Sequence, residues 1–339
     1  MSPSEDEIFA DLWEKEQQRP KTEDLLQYSS LREKMNAFGG YQNFESGTQF
    51  LYFIKHELPE ILAGKKVVFR GMTQAKYRLF NKAQRAYQAN KSANVKDEKT
   101  FHSSIEQMIG NARTVNNSVL ANFFKTAGLR DNDVAILSFL QHYGAPTPFM
   151  DWTTDLYTSL YFALSSCTDE QLERYQNGPA TYEIDDYFCF YMLIEDHILD
   201  MVSSFSQLSI SSKSAVKYRT LKKKKFQYID ERFKGGKPVF SLVNNLHITN
   251  QKGLFIYNNS SHMPLEEVFL LHWTMHYLGN MSKGRKTPRT PMMCINFHKS
   301  IGHRLRKVLL ELGINDETIY SKPEVIAKKA VPEILNALG

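Results

Sequence analysis

The run Tyr-Phe-Cys-Phe-Tyr-Met-Leu-Ile at Tyr187–Ile194 carries no charge and reads as one strongly apolar strand. Shorter β-branched and aromatic runs at 65–69, 149–153 and 292–297, and weaker ones at 238–243 and 253–257, predict further strands. Helical spacing surrounds them. Ser46-x-x-Gln49 has capping-box spacing ahead of Phe50, Phe53, Ile54 and Leu58, which recur on one helical face as far as Gly64. Helices are also predicted over 98–126, over 131–141 with Gly144 and two prolines as its stop, and over 264–277 and 299–312. Asp155 can cap another that buries Leu156, Leu160, Phe162, Ala163 and Leu164. Ser4-x-x-Glu7, before Ile8, Leu12 and Trp13, predicts a short N-terminal helix, while 21–44 lacks a clear period. The irregular alternation of strands and helices favours an α+β fold with a mixed β-sheet core over a doubly wound one.

A chain of 339 residues with 42% hydrophobic content is long and apolar enough to bury a core. It offers no uncharged run of membrane-spanning length, and its acidic start, Met-Ser-Pro-Ser-Glu-Asp-Glu, is unlike a secretory signal. A cytoplasmic protein without a membrane partner is expected. Cys167, Cys189 and Cys294 are too few and too scattered for a disulfide framework, and are expected as reduced thiols. His272 and His276 share a helix face but lack the glutamate of the His-Glu-x-x-His motif, so no metal is expected.

The net charge of +5 is modest, yet it is unevenly spread: 169–200 is acidic, and 213–237 and 283–307 are basic. Lys222, Lys223, Lys224 and Lys225, followed by Phe226 and Tyr228, combine phosphate-binding charge with rings on which bases could stack. The same residues also suit a solvated basic loop.

Two motifs carry most of the information. Phe69-Arg70-Gly71 puts a cation at the end of an apolar run, beside a glycine that lets a backbone or a phosphate come close. The second motif, 141–163, begins Gln141-His142-Tyr143-Gly144 and continues through Asp151-Trp152-Thr153 to Phe162-Ala163. Together they resemble the FRG-domain family. The likeness extends to Gln251, Gly253 and Phe255 and to the stretch 312–320, so the resemblance divides the chain into an N-terminal helical extension (1–44), an FRG domain (45–325) and a C-terminal tail (326–339). Pro148 and His247 stand where that family usually has arginines.

The order of parts also resembles, more distantly, ADP-ribosyltransferases. That resemblance implies a mixed sheet with helical decorations and NAD as a substrate. It implies Arg70, Asp151, Thr153 and Gln251 as catalytic residues, and Arg70, Gly71, His142, Tyr143 and Trp152 as the NAD-binding set. Gln251 stands where those enzymes place a glutamate, so Asp151 or Glu266 would have to supply the negative charge that an oxocarbenium-like state requires. The implied acceptor is nucleic acid, single-stranded RNA above all, bound by Lys222 to Lys225, and the implied setting is a phage-defence toxin with an antitoxin or chaperone partner. Each residue also has a plainer role open to it. Arg70 can serve an ion pair, Asp151 a cap, Trp152 the core, and Gln251 buried backbone.

Overall fold

The fold is that of a computed structural model, which describes residues 25–38, 40–90, 97–126, 131–178, 181–195, 197, 207–209, 216–224, 226–230, 248, 250–284 and 290–320. The expected N-terminal helix and the strand at 238–243 lie outside them.

In chain order, α1 (Leu31–Asn36) leads into β1 (Gly40–Phe44). The helix α2 (Gly47–Tyr52) runs through a π-helical turn at Phe53–Glu57 into α3 (Leu58–Leu62). Then come β2 (Val67–Met72), α4 (Lys82–Ala89), α5 (Glu98–Thr126), α6 (Asp133–His142), β3 (Phe149–Thr153), α7 (Leu156–Leu164) and α8 (Asp169–Asn177). The second half contributes β4 (Tyr187–Ile194), β5 (Gln207–Ser209), α9 (Tyr218–Leu221), β6 (Phe226–Asp230), β7 (Gly253–Asn258), α10 (Leu265–Ser282), β8 (Met292–His298), α11 (Gly302–Glu311) and α12 (Asp316–Ile319). The predicted helix starts hold at two caps: Ser46 accepts from the Gln49 amide, and Asp155 from the Thr158 amide.

Among the described residues the strands form one eight-stranded mixed sheet in the order β1-β8-β4-β2-β3-β7-β6-β5. The outermost pairs are parallel and the inner ones antiparallel. This agrees with an α+β fold. The apolar run of β4 lies at the centre of one half because it is buried on both faces. Tyr187, Cys189, Tyr191 and Leu193 enter one core layer, and Phe188, Phe190 and Met192 the other.

On the first face a single core layer runs across the sheet, from Cys294 through Val68 and Trp152 to Ile256. On the second face the core is divided. Phe69, Phe190 and Phe297 pack beneath α2, α7 and α11, whereas Phe149, Phe255 and Tyr257 pack beneath α5, α6 and α9. The division falls between β2 and β3. These two strands share one register pair, Phe69 with Thr153, while β2 and β4 share six, from Val67 with Ile194 to Met72 with Cys189. The sheet is therefore splayed at a seam, and strand edges left without ladder partners need others.

Three expectations need correction. Arg70 does not end its strand, because β2 continues through Gly71 to Met72 along β4. The glycine serves the helix above it. A Cβ at Gly71 would lie 1.8 Å from the Ser159 carbonyl oxygen and 2.8 Å from the Ala163 nitrogen, so α7 rests directly on the strand backbone. The stretch 21–44, without period in sequence, supplies α1 and the edge strand β1. Finally, Phe226 and Tyr228 are buried strand residues whose rings are not available to stack on bases.

Asp155 joins this frame to the seam. Its carboxylate caps α7 through the Thr158 amide at 2.8 Å and pairs with Lys252, just before β7, at 2.6 Å. Burial opposes its ionisation, but Lys252 and the amide outweigh burial and lower its pKa. Asp155→Ala is expected to cost about 1–2 kcal/mol in urea denaturation. Because the folded pKa lies below the unfolded one, that stabilisation is complete above the ordinary carboxylate range and is lost as pH falls through the folded value. The difference between wild type and Asp155→Ala should therefore shrink below about pH 4.

Candidate functional site

A cleft of about 330 Å³ opens at the seam. Its lining comes from β2 (Phe69, Arg70, Gly71), the end of α6 (Gln141, His142), β3 (Asp151, Trp152, Thr153), Phe162 of α7, the third segment (Ile248, Gln251, Gly253, Leu254, Phe255) and Tyr320. Pieces separated by up to 250 residues thus surround one concavity, at the lower end of the size range of small-molecule sites.

Arg70 fills the gap between the diverging strands. Its guanidinium donates to the main-chain carbonyl of Asp151, a group with no ladder partner across the seam, and its Nε is buried without a hydrogen bond. Burial pulls the Arg70 pKa down, opposed first by the charge of Asp151. The side chain faces the seam as a cation with donor capacity left. A second guanidinium is close by. Arg85 of α4 donates to the Phe80 carbonyl, and its pKa is lowered by burial and then by the like charge of Arg70, with Asp151 acting against both. Sequence reasoning missed Arg85, which belongs to neither motif.

Asp151 is the one carboxylate among the described residues lining the cleft. It is exposed at the middle of β3 and held in place from α6: the Gln141 amide donates to Asp151 Oδ2 at 2.9 Å, and Gln141 Oε1 accepts from the buried Thr147 hydroxyl. Gln141 was quoted in the motif but given no role, and the hydrogen bond supplies one. Thr153, expected as catalytic, has its hydroxyl engaged. It donates to the Gln251 carbonyl at 2.6 Å and accepts from the Asp155 amide at 3.0 Å, tying β3 to the third segment. Gln251 is engaged too, since its side-chain amide donates to the Ile319 carbonyl at 3.4 Å.

The remaining residues divide. His142 lines the cleft, whereas Tyr143 is 68% exposed, packs on Phe139 and does not line it. Trp152 borders the cleft, but its side chain is 2% exposed and belongs to the core layer of the first face. Its indole Nε1 is buried without a partner. Gly71 is at the cleft as well, but the group it admits is helix backbone. Glu266 is excluded. It is 1% exposed in the core, where it accepts from the Tyr28 hydroxyl at 2.6 Å and from the Leu79 amide, and burial raises its pKa.

The lysine run is a separate place on the surface. Lys222 pairs with Glu106 at 2.6 Å, Lys223 and Lys224 are exposed, and Lys225 lies outside the described residues. A larger groove of about 850 Å³ between α5 and α6 is lined by Met108, Val115, Val119, Phe123, Phe139 and uncharged polar residues, so among the described residues that line it there is no cation for a phosphate. Among the described residues no group of three or more His, Cys, Asp or Glu side chains is placed to hold a metal, and no helix is long and apolar enough to cross a membrane.

The stretch that delivers both Arg70 and Asp151 is also the stretch that a known family describes. The family model for the FRG domain matches residues 65–172. The chain carries an FRG domain. No curated protein and no solved structure matches. The match runs from just before β2 into α8, and so includes both sides of the seam with Arg70, Gln141, His142, Asp151 and Thr153. The third segment and Tyr320, which complete the cleft, lie beyond the match.

Proposed function

We propose that the FRG domain binds NAD in the seam cleft and transfers ADP-ribose to nucleic acid, single-stranded RNA in the first instance. The fold would then be an ADP-ribosyltransferase-like one. The observation that carries this reading is the presence of a half-buried guanidinium, Arg70, and a solvent-facing carboxylate, Asp151, in one cleft. Arg70, with Arg85 behind it, suits the pyrophosphate: a fixed fork with unspent donors binds an oxyanion bidentately. Asp151, fixed by Gln141, suits the reacting ribose.

In this mechanism the bond between ribose C1′ and the nicotinamide nitrogen breaks, and neutral nicotinamide leaves with the electron pair. The ribose passes through an oxocarbenium-like state, which the Asp151 carboxylate stabilises electrostatically. An acceptor oxygen or nitrogen then bonds to C1′ and gives up its proton to Asp151 or to water. Exposed Lys223 and Lys224 would add sequence-independent attraction for the acceptor's phosphates. A protein with this activity would act as a toxin, in phage defence, and would need an antitoxin or chaperone to restrain it.

Incubation with NAD labelled in the adenylate, together with RNA, DNA and protein acceptors, tests the reading. Label on RNA with stoichiometric nicotinamide release is expected, and Asp151→Asn should lower the rate on the order of 100-fold. Recovery of intact NAD with no labelled acceptor would refute it.

A second reading is favoured by one observation. Gln251, at the position where a transferase acid is expected, is uncharged and already bonded to Ile319. A non-catalytic nucleotide- or partner-binding module would fit that arrangement. It is distinguished by tight binding of NAD that is returned intact. Free ADP-ribose as the only product would instead mark an NAD glycohydrolase.

A further inference from the structure

The aromatic wall of the cleft comes from the end of the described chain. The short helix α12 is closed by Asn315, which accepts from the Thr318 amide, and its Ile319 is buried. Two side chains fasten it to the body of the protein. The Tyr161 hydroxyl of α7 donates to the Asp316 carboxylate, and the Gln251 amide donates to the Ile319 carbonyl. Tyr320 follows at once and turns into the cleft, where Phe162 also lines the wall. The Tyr320 ring centroid is 6.2 Å from that of Tyr161 and 6.3 Å from that of Phe162, edge-on to both, and the side chain stays partly exposed. Its phenol pKa is raised by burial, then by the charges of Asp316 and Asp151, the second of which lines the same cleft. The cleft thus has a charged floor of Arg70 and Asp151 and an aromatic wall of Phe162 and Tyr320.

We infer that Tyr320 packs against the planar heteroaromatic ring of the ligand, and that Gln251 is a positioning residue which acts by holding the turn that carries Tyr320. The inference rests on the nucleotide reading of the cleft and adds to it the group that recognises a ring. A fixed aromatic side chain is suited to this role. It presents a flat apolar surface at small conformational cost, and one stacked ring is enough to change affinity by tenfold or more. It also gives Gln251 a function that its neutral amide can perform, since donating to a carbonyl needs no charge.

Calorimetry on the full chain tests this with three probes: NAD, AMP and nicotinamide mononucleotide. Tyr320→Phe should bind the probes that wild type binds within about twofold, because the ring is kept, and Tyr320→Ala should bind at least one of them about tenfold or more weakly. The weakened mononucleotide identifies the ring that stacks. Gln251→Ala should weaken the same probe and speed amide hydrogen exchange over 314–320, without changing exchange in β4 or the melting temperature. Unchanged affinity in Tyr320→Ala, with wild type binding, would overturn the inference and leave the nucleotide reading standing. Unchanged exchange at 314–320 in Gln251→Ala would overturn the positioning role without reference to any ligand. Failure of wild type to bind all three probes would remove the nucleotide reading, and this inference with it.

Discussion

Alanine at position 71 is expected to destabilise the protein by more than about 3 kcal/mol, and at physiological temperature to prevent stable folding. The added methyl would meet the Ser159 carbonyl oxygen at 1.8 Å and the Ala163 nitrogen at 2.8 Å, both in helix backbone that cannot rotate away. Relief requires the whole of α7 to lift from β2, which withdraws Leu160 and Ala163 from their core layer. Gly110→Ala supplies the contrast. That glycine is inside α5, its Cβ would meet nothing within 4 Å, and the substitution should gain about 0.5–1 kcal/mol of helix propensity. Urea denaturation of the two variants measures the difference. A Gly71→Ala protein as stable as wild type, with ligand binding lost, would mean that the glycine admits a ligand instead of a helix.

The second large effect concerns Arg70. Arg70→Ala should abolish detectable NAD binding, a loss on the order of 100-fold or more, and relieve any growth defect caused by expressing the protein. It should also cost stability, by about 1–3 kcal/mol, because the Asp151 carbonyl at the seam loses its donor. Arg70→Lys should restore part of the stability and little of the binding, since a single ammonium cannot span the gap to Asp151 and still present a planar fork to a phosphate. Calorimetry and circular dichroism on the three proteins separate these contributions. Undiminished binding or toxicity in Arg70→Ala would take the guanidinium out of the mechanism.

Much of the fold could be read from residue patterns because burial leaves a periodic trace. Tyr187–Ile194 announced a strongly apolar strand, which the fold covers on both faces, and Ser46 and Asp155 announced the helices they cap. The edge strand β1, Gly-Tyr-Gln-Asn-Phe, was invisible because it has a neighbour on one side only and little apolar content. The strand β6 was obscured by the lysines before it. A charge run draws attention to solvent, while Phe226 and Tyr228, one and three residues after Lys225, are in the core. Gly71 looked like the end of a strand because glycine often is one, but the reason for it lies in α7, some ninety residues downstream in sequence and in direct contact in space.

The cleft was legible to the extent that its residues belong to motifs. Arg70, His142, Asp151, Thr153 and Gln251 were expected to converge, and they line one concavity. Their individual roles were not legible, because these depend on hydrogen bonds between distant segments. Thr153 and Gln251 have their polar groups engaged in holding the third segment and α12, and Gln141 holds Asp151. Arg85 belongs to no motif, and Tyr320 ends the family-like stretch 312–320 without a role legible there; only the folded chain brings them to the seam. Glu266, attractive as a spare carboxylate, is spent on Tyr28 and the Leu79 amide.

If a nucleotide binds this protein, the seam between β2 and β3 is where it binds. Amide chemical-shift mapping of the isotopically labelled full chain during NAD titration tests it most directly. Saturable shifts concentrated at Gly71, Asp151, Thr153, Gly253 and Tyr320 are expected, and their loss in Arg70→Ala. Shifts confined to the apolar groove between α5 and α6 would contradict it, and none at saturating NAD would remove the nucleotide reading.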